Sequence, residues 1–195
     1  MAKAFKFKRG FKAEAERNAV NYREILNIDS KAPLPAKILA DYLDIKVVTP
    51  SAIFPKNSNS LNTLSSSNNW SALTLVCKSG KRLIIHNDRH SLPRQESNIM
   101  HEIAHVLCKH ESPNKSLLDG IGILMRDYNE TQEKEAEWLG GCLQIPRDAL
   151  MWSLKKKMNN NEIADFFNAS VDMVTFRINT TGVQRQLFFL QRNFS

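Results

Sequence analysis

The sequence predicts an α+β fold: a small sheet, made of an antiparallel hairpin plus a short strand, packed on two helices and followed by a helical, helix-turn-helix-like tail. Three observations carry this. Ile45 to Thr49 is β-branched and reads as a strand, and the apolar runs Trp70–Cys77 and Arg82–His86 flank a turn at Lys78-Ser79-Gly80-Lys81. From residue 91 the apolar spacing becomes helical and stays so to the end. In the tail, Ile163, Phe166, Phe167, Val171, Val174 and Ile178 read as the inward face of two short helices across Asn168-Ala169-Ser170.

Each element follows from local chemistry. Residues 11–27 place Ala15, Ala19, Tyr22, Ile25 and Leu26 at helical spacing. A turn at Asp29 to Pro35 leads into a short helix with Leu34, Ile38, Leu39, Tyr42 and Leu43 on one face, and Pro50 stops the strand after it. In residues 56–69, eleven of fourteen are Ser, Asn or Thr, too polar to bury, so this stretch is a loop within one domain. Ser91 followed by Pro93 starts a helix packed through Ile99, Ile103, Val106 and Leu107. Asn129 and Gln132 can cap a second helix, from about Thr131 to Gln144, and Pro146 restarts the chain as a helix through Met158. The chain thus divides into a basic arm (1–12), a core (13–158) and a helical C-terminal subdomain (159–195).

Length and composition bound the function. A chain of 195 residues can bury a full core, and no run approaches the roughly 18 apolar residues of a membrane helix. The N-terminus is basic without an apolar core behind it, unlike a secretory signal, and three cysteines argue against a disulfide framework; the expected location is the cytoplasm. Five of the seven net positive charges come from Lys3, Lys6, Lys8, Arg9 and Lys12. With Phe5, Phe7 and Phe11 between them, these residues suit a nucleic-acid contact, but a solvated lead whose phenylalanines pack on the first helix explains them better.

The chemistry lies in His101-Glu102-Ile103-Ala104-His105. Residues four apart share a helix face, so two imidazoles can converge on one Zn²⁺ at about 2.0–2.1 Å. Glu102 emerges beside them, placed to take a proton from water rather than to ligate. A third ligand is required. The pattern with Gly and His at the seventh and tenth positions is absent, since Cys108 and Glu111 occupy them. On a continuing helix His110 would point about 140° from His105, as a surface or helix-end residue. The following helix offers Glu133, Glu137 and Gly140 on one face, with Glu135 pointing away. Glu133 is the expected ligand, and Glu137 the acceptor orienting a ligand histidine through its other nitrogen. Gly140 and Gly141 each cost about 1 kcal/mol of helix propensity and make sense in a close helix–helix approach. Cys108 lies on the same stripe and is expected to pack as a small hydrophobe.

HEIAHVLCKH resembles the HELGHLLLH helix of the ImmA/IrrE zinc metallopeptidases. ETQEKEAEWLGGCLQIP is similar to that family's E-x-E-A-N-x-F-A-A-x-L-L-M-P, with Pro146 in register. KRLIIHNDRHSLPRQESNIMHE resembles its strand and the lead into the active helix; RGFKAEAERNAV, PLPAKILADYLDIKVV and EIADFFNASVDMVTFRIN resemble its leading and closing helices. Departures are Glu137 for the usual Asn, Cys108 for a common Leu, and the Asn/Ser-rich insertion at 56–69.

The resemblance implies a gluzincin-like endopeptidase with one zinc held by His101, His105 and Glu133 and Glu102 as catalytic base. It implies a protein substrate, a helix-turn-helix repressor whose cleavage relieves repression. His110, Tyr128 and Arg94 are the candidates for oxyanion stabilisation, and the hairpin offers an edge to an extended substrate. The competing expectation is a DNA-binding or toxin–antitoxin-type regulator in which zinc is structural. Its DNA-binding form rests on the basic arm and on Arg177, the strongest phosphate or guanine partner in the tail.

Overall fold

A computed structural model describes residues 6–56, 58, 61, 70–76, 80–110, 115–118, 123–126 and 129–193. Helix α1 (Phe11–Ile25) buries Ala15, Ala19 and Arg23, one turn apart, so its contact face is small-sided and ends in a guanidinium. Arg23 donates to the carbonyls of Ala19, Ala32 and Gln144 at 3.0, 3.0 and 3.3 Å, and burial lowers its pKa to about 10. Ile25, expected on the packed face, is exposed instead. Helix α2 (Ala36–Tyr42) starts where the Glu96 carboxylate accepts from the Ala36 N–H, an acid at a positive helix end.

Three strands form a mixed sheet in the order β1-β3-β2. Strand β1 (Ile45–Val48) runs parallel to β3 (Arg82–His86), with Ile45 opposite Arg82. Strand β2 (Ala72–Val76) runs antiparallel to β3, with Ala72 opposite His86. The alternation splits the sheet between two cores: Ile84 enters the main one, while Leu75 and Ile85 pack with Phe54 on the other side. Helix α3 (Leu92–Leu107) lays Ile99, Met100, Ile103 and Ala104 into the main core.

The chain after α3 is not helical throughout. Strands β4 (Lys115–Leu118) and β5 (Ile123–Arg126) pair antiparallel, Leu118 opposite Ile123. The expectation of unbroken helical periodicity from residue 91 fails here because Asp119-Gly120 is a hairpin signal between two short apolar runs. Helix α4 (Glu130–Gln144) then begins on a capping box: the Asn129 side chain accepts from the Gln132 N–H at 3.0 Å, and Gln132 returns the bond at 3.1 Å.

Helices α5 (Arg147–Lys155), α6 (Asn160–Phe167), α7 (Val171–Thr181) and α8 (Val183–Asn193) follow. They share a second core of Ile145, Leu150, Ile163, Phe167, Val174, Ile178 and Val183. Phe166 and Val171, expected inside, are exposed. Arg177 departs further from expectation, being 0% exposed. It donates to the Ile145 carbonyl at 2.9 Å, to Cys142 Sγ at 3.3 Å and to Glu16 at 2.5 Å. A guanidinium so enclosed is no partner for phosphate or guanine, so the DNA-binding expectation loses its main support in the tail.

The described part of the basic arm is docked on the main core. Phe7 stacks on Phe11 with ring centroids 5.4 Å apart and meets Trp138 edge-on at 5.3 Å. Lys12 Nζ lies 3.8 Å from the Trp138 ring centre, a cation–π contact. Among the described residues, no helix is long and apolar enough to cross a membrane.

Candidate metal centre

Helices α3 and α4 pack against each other along their length. They can come close at the site because Gly140 has no side chain there. A Cβ at Gly140 would lie 3.3 Å from both His101 Cα and the Met100 carbonyl oxygen, which are backbone atoms of a packed helix. Gly140→Ala should therefore destabilise the fold by about 1–3 kcal/mol, although Ala is the better helix former. A thermal melt checks this, and an unchanged or raised Tm would show that α3 can yield.

That approach brings α4's Glu133 to the two histidines of α3. His101 Nε2 and His105 Nε2 face each other at 3.0 Å, and the Glu133 oxygens lie 3.3 and 3.4 Å from them. One donor atom from each residue falls within 4.8 Å of the others. The donors around a tetrahedral metal at 2.0–2.1 Å are about 3.3–3.4 Å apart. The two Glu133 separations match that geometry and the His101–His105 one is a few tenths of an ångström shorter, and two imidazoles with one carboxylate are a donor set suited to zinc. The residues present therefore fit the metal. Burial opposes charging His101, but its hydrogen bond to Glu133 and the charges of Glu102, Glu133 and Glu137 prevail and raise its pKa.

The three donors open on a cleft of about 410 Å³ lined by Ser71, by Ala72, Leu73 and Thr74 of β2, and by Asn98, His101, Glu102 and Glu133. Glu102 is only 7% exposed, and its carboxylate accepts the Thr74 hydroxyl at 2.5 Å. Thr74 is a site residue that sequence reasoning missed: a lone threonine in an apolar strand carries no signal until β2 is laid against α3. Asn98 was missed too, although it lies one turn before His101 on the same helix; its amide bonds His90 Nδ1 at 3.1 Å.

The remaining expected residues fall elsewhere. Arg94 is exposed on the first turn of α3 and does not line the cleft, and Tyr128 lies outside the described residues. Glu137 flanks the donors on the outer side with Glu130 and Lys134 and hydrogen-bonds neither histidine. Cys108 packs against the main core and is not among the converging donors; burial, with Glu135 and Glu14 nearby, pushes its thiol up to about 12.

His110 sits at the helix end, one of its two expected placements, but it is buried behind His105 and is neither at the surface nor in the cleft. The helical angle does not apply, because α3 ends at Leu107, Cys108 caps it and Lys109 takes the left-handed conformation at φ 55°. Lys109 N–H then bonds the Val106 carbonyl at 3.1 Å, and His110 N–H bonds the His105 carbonyl at 3.0 Å. This pair of bonds is a Schellman turn, which folds the chain back over the last turn of the helix. It sets His110 Nδ1 2.9 Å from His105 Nδ1, while His110 Nε2 meets Glu135 at 3.1 Å.

The arrangement can hold a divalent metal with one face open to a peptide and a buried carboxylate beside it. No curated protein matches the chain. Residues 40–179, from within α2 to the last turn of α7, match a peptidase family described as the IrrE N-terminal-like domain. That span covers most of the chain, including both helices of the candidate centre and the strands facing them, and this chain belongs to the ImmA/IrrE family of peptidases.

Proposed function

We propose that this chain is a cytoplasmic zinc-dependent endopeptidase whose substrate is a helix-turn-helix repressor, and whose cleavage of that repressor relieves repression. The observation that carries the reading is the convergence of His101, His105 and Glu133 at the cleft where Glu102 is held against β2. Zinc bound there supplies a Lewis acid that polarises the scissile carbonyl and makes water acidic near neutral pH. Glu102 accepts the proton released as water attacks and returns it to the leaving amine nitrogen. Thr74 holds the carboxylate in one orientation, so the base need not be ordered during the reaction.

Ser71 to Thr74, which line the cleft beside the donors, offer the surface against which the substrate chain lies. Tyr128 stands as the candidate for a contact to the developing oxyanion, and Arg94, which does not line the cleft, does not. Nor does His110, since it is turned away behind His105.

The test uses the full chain and a co-expressed helix-turn-helix repressor. The parent should carry about one zinc per chain by elemental analysis, and should cut the repressor. His101→Ala should lose both the metal and the cleavage. Zinc content unchanged in His101→Ala would overturn the metal assignment, and an intact repressor beside a zinc-loaded parent would overturn the substrate class.

A further inference from the structure

Among the described residues, the second nitrogen of His105 meets neither a carboxylate nor a backbone carbonyl, the partners that ordinarily orient a metal-binding histidine. It meets another histidine, His110, which in turn meets Glu135. All three are enclosed: the His105 side chain is 0% exposed, His110 5% and Glu135 20%. The order of contacts fixes the protons. A carboxylate only accepts, so Glu135 takes the hydrogen from His110 Nε2. Whenever His110 carries a single ring proton, its Nδ1 is bare and accepts from His105 Nδ1–H. That leaves the lone pair of His105 on Nε2, the atom that faces His101 and Glu133.

We propose that His110 and Glu135 are positioning residues that lock His105 in the Nδ1–H tautomer and so ready its Nε2 to bind metal. The inference rests on the metal reading above, but the lock itself exists before any metal arrives. Without Glu135, His110 is free to place its proton on Nδ1 and donate to His105, which then moves its own hydrogen to Nε2 and blocks the site. The Schellman turn at Lys109 makes the lock possible, because its backbone bonds bring residue 110 over residue 105.

The closing experiment reads the tautomers directly. In metal-free protein, above the pH range where imidazoles are charged, long-range nitrogen–proton NMR spectra should show His105 protonated on Nδ1 and His110 on Nε2. In Glu135→Ala, whose site is partly exposed and helical, His105 should show a mixture, and zinc affinity should fall about 10- to 100-fold. His110→Leu should lose affinity similarly, whereas His110→Asn, whose Oδ1 replaces the accepting Nδ1, should recover most of it. Circular dichroism of each variant separates loss of the lock from loss of fold. An unchanged His105 tautomer in Glu135→Ala, or His110→Asn no better than His110→Leu, would overturn the proposal. A parent with the stated tautomers that binds no zinc would instead overturn the metal reading and leave the lock standing.

Discussion

Glu102→Gln should retain the parent's metal content and lose about a thousandfold or more of its peptidase rate. The amide keeps the volume and the oxygen that accepts from Thr74, so packing against β2 survives. Its oxygen is also not among the converging donors, which are those of His101, His105 and Glu133. What disappears is an acceptor able to take up a proton and release it. Substrate cleavage measured beside zinc content separates this from metal loss, which His101→Ala should cause. Cleavage at parental rates in Glu102→Gln would remove Glu102 from the chemistry.

Glu16→Ala should destabilise the fold by about 3 kcal/mol. Glu16 bonds Arg177 with one oxygen at 2.5 Å and the Arg147 N–H with the other at 2.9 Å. Its removal leaves a fully enclosed guanidinium with only neutral partners at Ile145 and Cys142. The Glu16 side chain is 22% exposed, so water can enter in part, and the cost stays at the lower end for broken buried pairs. For a chain of 195 residues this corresponds to a fall in Tm on the order of 10 °C. Adding Arg177→Met should restore part of it, because the pair is then replaced rather than broken. A melt of Glu16→Ala within one or two degrees of the parent would show that solvent already screens the guanidinium.

What could be read from the sequence was what short-range spacing determines. The capping box at Asn129 and Gln132 spans three residues and was legible. So was the strand pairing on either side of Gly80, and so was the likelihood of a close contact at Gly140, now seen against His101. The β4–β5 ribbon carried a local signal in Asp119-Gly120 that the helical trend around it masked. Other features depend on tertiary placement. Arg23 and Arg177 look like surface cations in a helical pattern and are enclosed because neighbouring carbonyls and Glu16 satisfy them. Thr74 gains its role only from the helix laid across β2. His110 was misplaced because the angular argument assumed a helix that Lys109 ends.

The adjacent glycines of α4 look in opposite directions. Gly140 admits the backbone of His101 on one side, while a Cβ at Gly141 would lie 3.0 Å from Arg177 Cδ and 3.2 Å from Met173 Sδ on the other. One helix is thus a party wall between the donor-bearing helix and the C-terminal helices. Gln144 ties the same corner, bonding Ser97 of α3 at 2.9 Å and the Asn168 carbonyl beyond α6 at 3.0 Å. The boundary near residue 158 therefore divides the sequence but not the stability. Shortening the chain there would strip one face of the wall that positions Glu133, so the tail is a structural tenant of the centre even though it contributes no donor to it.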